Sequence, residues 1–354
     1  MSLCWSSAYL SRCSPGRRCS TLAISVFICL AGPVHLSFAP PSLCAPLLLS
    51  LPPTVTHLDV PPLFRSRFVL GGYRQVGQPW QRYLLSLLQL HNDSLTVWSP
   101  LLAAAVVSLR FLMFGLSADV SSLPLVFYVF SALAYLGCSA AAHLLQPHSE
   151  RAHYSLFFLN NVGGAIYLGT SGAFLLSGGR THGIRCCWEA LLSWTSCAAS
   201  CYVKVHSGWT CTFHRKLYSL TTISVISPIL HRLATHSWTS SPTPSLHLLQ
   251  VALSLLSAFF FSCSSPERFS PGSFDFLGHS RQLFHVLLSL CTVVQQEALF
   301  RDFLWRRPAL ARLFGAERLL LACTSFLWLT SCCGVAALAL RSRLQNRTST
   351  AAEA

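Results

Sequence analysis

Eight long apolar stretches constrain this chain more than any other feature. They lie near 99–117, 124–146, 154–177, 186–203, 217–234, 246–264, 281–300 and 317–340. At 1.5 Å rise per residue, about 20 apolar residues in a helix span the hydrocarbon of a bilayer. Only 10% of the 354 residues are charged and 52% are hydrophobic, against roughly 25% charged in a soluble domain, so an ordinary surface could not be solvated. The chain therefore reads as all-α, a polytopic membrane helical bundle. Prolines and glycines inside such helices are tolerated because neighbouring helices re-satisfy the freed backbone groups. The fifth stretch is the most polar, with Ser and Thr throughout and Pro228. Small-residue runs, SAAAH at 139–143 and VGGA at 162–165, suit close helix approach.

The formal charge of +14 does not indicate a nucleic-acid partner. The basic residues are scattered through loops between apolar runs, with no dense stripe, CxxC pair or RNA-binding signature. They read as membrane-flanking charge. Most of the sixteen cysteines lie in or beside apolar runs, as Cys138, Cys197, Cys291 and Cys323 do, and act there as small hydrophobes. The charges favour a cytosolic N-terminus: Arg65, Arg67, Arg74, Arg82, Lys204, Arg215, Lys216, Arg341, Arg343 and Arg347 then lie inside. Arg301, Arg306, Arg307, Arg312 and Arg318 run against that bias. Residues 1–56 form a separate extension. Arg12, Arg17 and Arg18 precede TLAISVFICLAG in the manner of a signal peptide or anchor, and a low-complexity linker follows. The remaining divisions are a cytosolic segment 57–98, a bundle 99–340 and a tail 341–354.

From about residue 58 the chain resembles the progestin and adipoQ receptor family, and its progestin branch most. The resemblance rests jointly on DVPPLFRSRFVLGGYR (59–74), HNDSLTVW (91–98), SALAYLGCSAAAHLLQPHSERAHYSLFFL (131–159), ISPILHR (226–232) and PERFSPGSFDFLGHSRQLFH (266–285). It implies a seven-helix core, with an eighth C-terminal span in the progestin branch. It also implies a zinc site in the bundle. Ser139 and His143 match the Ser-x-x-x-His motif of the second span, and His285 matches the second histidine of the seventh span's HQ-x-x-H. The first of those positions is Arg281. Asn160 and Asn161 stand where the family carries the Asp and Tyr of its LDY motif. Pro100 and Val225 replace a further His and Asp.

A catalytic zinc takes three protein ligands and an open water position. Here His143 and His285 remain without an evident third. Arg281 is always charged and cannot ligate, and beside a dication it would cost several kcal/mol. His279 points elsewhere around the helix, and His148 and His153 belong to a loop. Asn160 lacks the charge to activate a water. Zn2+ is thus the implied cofactor of a site whose residues have departed from it. Arg281 either snorkels to the interface or replaces the metal's charge, donating to Asn160 and Ser139. Intramembrane charges carry function by default, so Arg110 and Glu297 are also singled out, the carboxylate needing a partner.

The expected function is that of a receptor at the plasma membrane, binding a progestin among its helices and signalling, with a G protein as partner. Ser139, Asn160, Gln282, His285 and Arg110 are the candidates to orient the ligand in an otherwise apolar cavity. Two alternatives stand beside it: a zinc-dependent lipid amidase of the ceramidase kind, and a degenerate paralogue that does not signal.

Overall fold

The computed structural model describes residues 51–114, 122–176 and 243–313, with isolated positions in 226–234 and 324–342. The described residues form six α-helices and several 3-10 turns, with no strand among them: α1 Trp80–Leu85, α2 Ser94–Phe114, α3 Leu123–Leu145, α4 Glu150–Leu176, α5 Pro244–Ser262 and α6 Ser280–Leu313. Among the described residues, four segments are long and apolar enough to cross a membrane, Ser94–Met113, Leu125–His148, Pro244–Ser262 and Ser280–Trp305. The protein is a multi-pass helical membrane protein. The expected span at 186–203 lies outside the described residues, as do most of those at 217–234 and 317–340.

Helix α3 packs between α2 and α4, while α6 packs along α5 and α2. Leu125, Tyr128, Val129, Ala132 and Leu136 repeat at helical spacing along α3 and are all buried. They meet Ala103 and Val107 of α2, Tyr167 of α4, and Leu299, Phe300 and Phe303 of α6 in one core. The VGGA run sits where α4 crosses α3: a Cβ added at Gly163 would lie 3.2 Å from the Tyr135 Cα.

Outward faces are apolar too. Leu102, Leu109 and Leu112 of α2 are 59%, 58% and 75% exposed, an ordinary state in lipid and a costly one in water. Helix α5 is inverted relative to a soluble helix. Its exposed face carries Leu248, Leu249, Leu255 and Phe259, and its buried face carries His247, Gln250, Ser254 and Ser257.

Residues 51–93 build a cap over one end of the bundle. Val55 and Tyr73 bridge through two backbone hydrogen bonds of 2.7 and 3.1 Å, and the Gln89 Nε2 donates to the Pro52 carbonyl at 3.1 Å. Pro52 and Val55, which the boundary expected at residue 56 assigns to the extension, are bonded into the cap. The other boundary moves as well: α2 begins at Ser94 rather than 99, because polar Asn92-Asp93-Ser94 turns directly into the helix. The Ser94 Oγ accepts from the His91 N–H at 2.8 Å there.

Candidate functional site

The cap closes on a polar cluster where the end of α3 meets the beginnings of α2 and α6. Asp93 is its hub. Its Oδ2 accepts from Gln146 Nε2 at 2.8 Å and lies 3.5 Å from an Arg74 nitrogen, while its Oδ1 lies 3.6 Å from Arg281. Arg74 is buried, and it also donates to the last carbonyls of α3, Leu144 at 2.6 Å and His143 at 2.7 Å. A helix C-terminus presents such carbonyls without intrahelical partners, so one guanidinium both caps α3 and balances Asp93. Burial alone would push the Asp93 carboxyl up, but the guanidiniums of Arg281 and Arg74 outweigh it and hold its pKa below the usual carboxylate range. His91, two residues away, is pushed down to about 3 by burial and then by Arg74; it is neutral, and its Nδ1 accepts from the Asp93 N–H at 3.1 Å.

Arg281 occupies the second position of α6 and reaches inward. Its guanidinium donates to Ser66 Oγ at 3.2 Å, to His143 Nδ1 at 3.1 Å and to Gln146 Oε1 at 3.3 Å. An arginine has no acceptor, so the His143 Nδ1 must be unprotonated and its Nε2 carries the hydrogen. His143 and His285, the two histidines expected together, are together: their rings stand edge to face, 4.3 Å between centroids.

This corrects the expectation for Arg281. It neither snorkels away nor donates to Asn160 and Ser139. It joins Asp93, His143 and Gln146, and among the described residues the Asn160 Oδ1 is buried with no hydrogen-bond partner.

We propose that the residues present do not fit a zinc ion. A guanidinium already engages one of the two retained histidines, and Asp93 is tied to both arginines. A dication about 4 Å from Arg281 would be repelled by roughly 8 kcal/mol at an effective dielectric of about 20.

The remaining candidates are placed as follows. Ser139 lies one turn before His143 on α3 and is buried. Gln282 straps the loop before α6: its amide donates to the Asn92 carbonyl at 2.7 Å and the Phe276 carbonyl at 2.8 Å, and accepts from the Gly278 N–H at 2.7 Å. His279 is engaged with the Asn92 carbonyl at 2.8 Å. His148 stacks on Trp80, 3.8 Å between centroids, and His153 packs on Phe64 and Phe157. Glu267 and Asp275 fasten the preceding loop, Glu267 Oε2 to the Ser280 N–H at 2.8 Å and Asp275 Oδ1 to the Leu70 N–H at 2.9 Å.

Arg110 and Glu297 answer one another. They form an ion pair between α2 and α6, and Arg301 adds a second contact to Glu297 at 2.9 Å. The pair lies well along both helices from Arg281, so Arg110 does not belong to the same cluster. Sequence reasoning flagged both residues and missed their pairing. It also missed Asp93 and Arg74 as a hub; the signal was an acid immediately before the first span.

The chain matches the haemolysin-III-related family over residues 88–296. It is 37% identical over 319 residues to membrane progestin receptor beta of Homo sapiens, covering 85% of this chain and 90% of that protein. It is 39% identical over 288 residues to membrane progestin receptor alpha of Homo sapiens, covering 73% and 81%. Membrane progestin receptor alpha-B of Danio rerio is 36% identical over 316 residues, covering 84% and 89%.

Proposed function

This chain belongs to the haemolysin-III-related family of progestin and adipoQ receptors, and from that premise we propose that it is a steroid-binding receptor of the plasma membrane. The observation that carries the proposal is its likeness, over 85% of its length, to a protein named membrane progestin receptor beta. The full architecture in this reading is a seven-helix core with an eighth C-terminal span, and the N-terminus is cytosolic.

The site chemistry is compatible with such a ligand. Progestins carry ketone oxygens, which only accept hydrogen bonds, on an apolar frame. The Arg281 side chain is 29% exposed amid buried neighbours, so it can offer a charged donor to one such oxygen. Ser139 on α3 and His285 on α6, both buried, are the groups proposed to complete the contact, and apolar helix faces supply the rest. Signalling then follows from a ligand that binds one helix arrangement better than another, read out by a G protein. The role proposed for Arg281 is to supply, without a metal, the positive charge at the inner end of the site. A zinc-dependent lipid amidase would need an activated water, and the Arg281–His143 contact opposes the ion that would activate it.

The test is displacement of a labelled progestin from membranes of cells expressing the chain. Specific displacement is expected, and it should survive removal of residues 1–50. Binding no greater than in membranes lacking the chain would overturn the reading and favour a paralogue that does not signal.

A further inference from the structure

The inverted helix α5 leaves three buried atoms to account for. Asp302 of α6 accepts from Thr243 Oγ1 at 2.6 Å and contacts His247 Nε2 at 3.3 Å. A carboxylate only accepts, so Nε2 carries a proton, and in the neutral imidazole Nδ1 then presents a lone pair. Among the described residues that Nδ1 has no hydrogen-bond partner, nor has either polar atom of the Gln250 amide. His247 is 1% and Gln250 0% exposed, and at i and i+3 they share one face of α5. Further along the same face the polar groups are satisfied: Ser257 donates to the Ser254 carbonyl at 2.8 Å, and the Ser254 Oγ meets Cys291 Sγ at 3.2 Å. The vacant hydrogen-bonding capacity on this face is therefore concentrated at His247 and Gln250. Buried polar atoms are nearly always satisfied by protein, water or ligand.

We infer that His247 and Gln250 form a site for a single hydroxyl group. The O–H donates to His247 Nδ1, and its oxygen accepts from Gln250 Nε2. A ketone, ester or carboxylate would serve Gln250 but leave Nδ1 unpaired. An ammonium would serve Nδ1 but leave the amide hydrogens unpaired. A group that both gives and takes pairs with one atom of each residue, leaving only the Gln250 Oε1 open. His247 is the fourth residue of α5, and Asp302 lies in the last turn of the span Ser280–Trp305, so the site is close to one membrane surface. The alcohols of membrane lipids lie at that depth. It stands some 30 Å along α6 from Arg281, from the 21 intervening steps at about 1.5 Å each, and is independent of the steroid reading. The hydroxyl has two sources, an internal water or the alcohol of a sterol-like lipid.

The test uses the full chain with 15N-labelled histidine in phosphatidylcholine nanodiscs, alone, with cholesterol, or with cholest-4-en-3-one. The resonance lost in His247→Gln assigns the residue. Its Nδ1 should show the shift of an unprotonated, hydrogen-bonded nitrogen, moving towards a free imidazole in Gln250→Leu. A signal already present in sterol-free discs assigns the hydroxyl to water. One that appears with cholesterol and not with the ketone assigns it to a lipid alcohol. An Nδ1 that is protonated, or that stays free with and without either sterol, overturns the inference.

Discussion

Replacing Asp93 by Asn probes the cluster at its hub. The amide keeps the shape and can still accept from Gln146, but the charge between Arg74 and Arg281 is gone. Two guanidiniums then face one another with side chains 4% and 29% exposed and no carboxylate between them. Removing one partner of a buried ion pair costs about 3–5 kcal/mol, a factor of roughly 10² to 4 × 10³ in the folded-to-unfolded ratio. Arg74 cannot swing out, because it also holds the His143 and Leu144 carbonyls. The penalty should therefore sit near the upper end of that range. Unfolding of the detergent-purified protein, followed by tryptophan fluorescence against pH, is the assay. The sign follows from the depressed Asp93 pKa: its contribution is complete above the ordinary carboxylate value of 3.8 and is lost as pH falls through the lower folded value. The gap between wild type and Asp93→Asn should be constant from neutral pH to about pH 5 and should close below about pH 4. A variant within about 0.5 kcal/mol of wild type at neutral pH, or a gap that persists at the lowest pH, would refute the reasoning.

Three other outcomes follow from the same geometry. Arg281→His combined with Asn160→Asp should raise the zinc content of the purified protein towards one ion per chain; unchanged content would show that Arg281 is not what opposes the metal. Glu297→Leu and Arg110→Leu should each destabilise the protein, while the double variant loses less than their sum by about 0.5–3 kcal/mol. Strict additivity would deny the interhelical pair. Asn92 begins an Asn-Asp-Ser sequon but is 3% exposed, so no glycan should be found on it by mass spectrometry whichever way the chain is oriented. An Asn92 glycopeptide would contradict the packing of the cap.

Much of the bundle was legible in the sequence, for reasons that differ between helices. The second span was expected at 124–146 and α3 runs Leu123–Leu145, because Pro124 starts the run and Gln146-Pro147 stop it. The seventh was expected to end at 300, whereas α6 continues to Leu313: hydropathy falls at Arg301 and Asp302, but nothing breaks the helix there. Composition could not show that α5 buries its polar face, since an inverted stripe has the same mean hydropathy as an ordinary one.

At the site, the meeting of His143 and His285 followed from the family resemblance, while Arg281's partners did not. Arg281 contacts His143 and Gln146 across 138 and 135 residues. Arg110 reaches Glu297 across 187. Contacts of that range carry no local periodicity, so a single sequence names the charges without matching them. Asp93 was hidden for a different reason. It reads as the polar residue that ends a loop, and only the cap folding back over α3 buries it.

Saturation binding of labelled progesterone to the purified full chain, with and without a zinc chelator, tests the central claim most directly. The account holds that Arg281 supplies the charge a metal would otherwise bring. It predicts saturable binding with the same affinity in both conditions. Binding that is lost with the chelator and restored by added zinc, or no saturable binding in either condition, would contradict it.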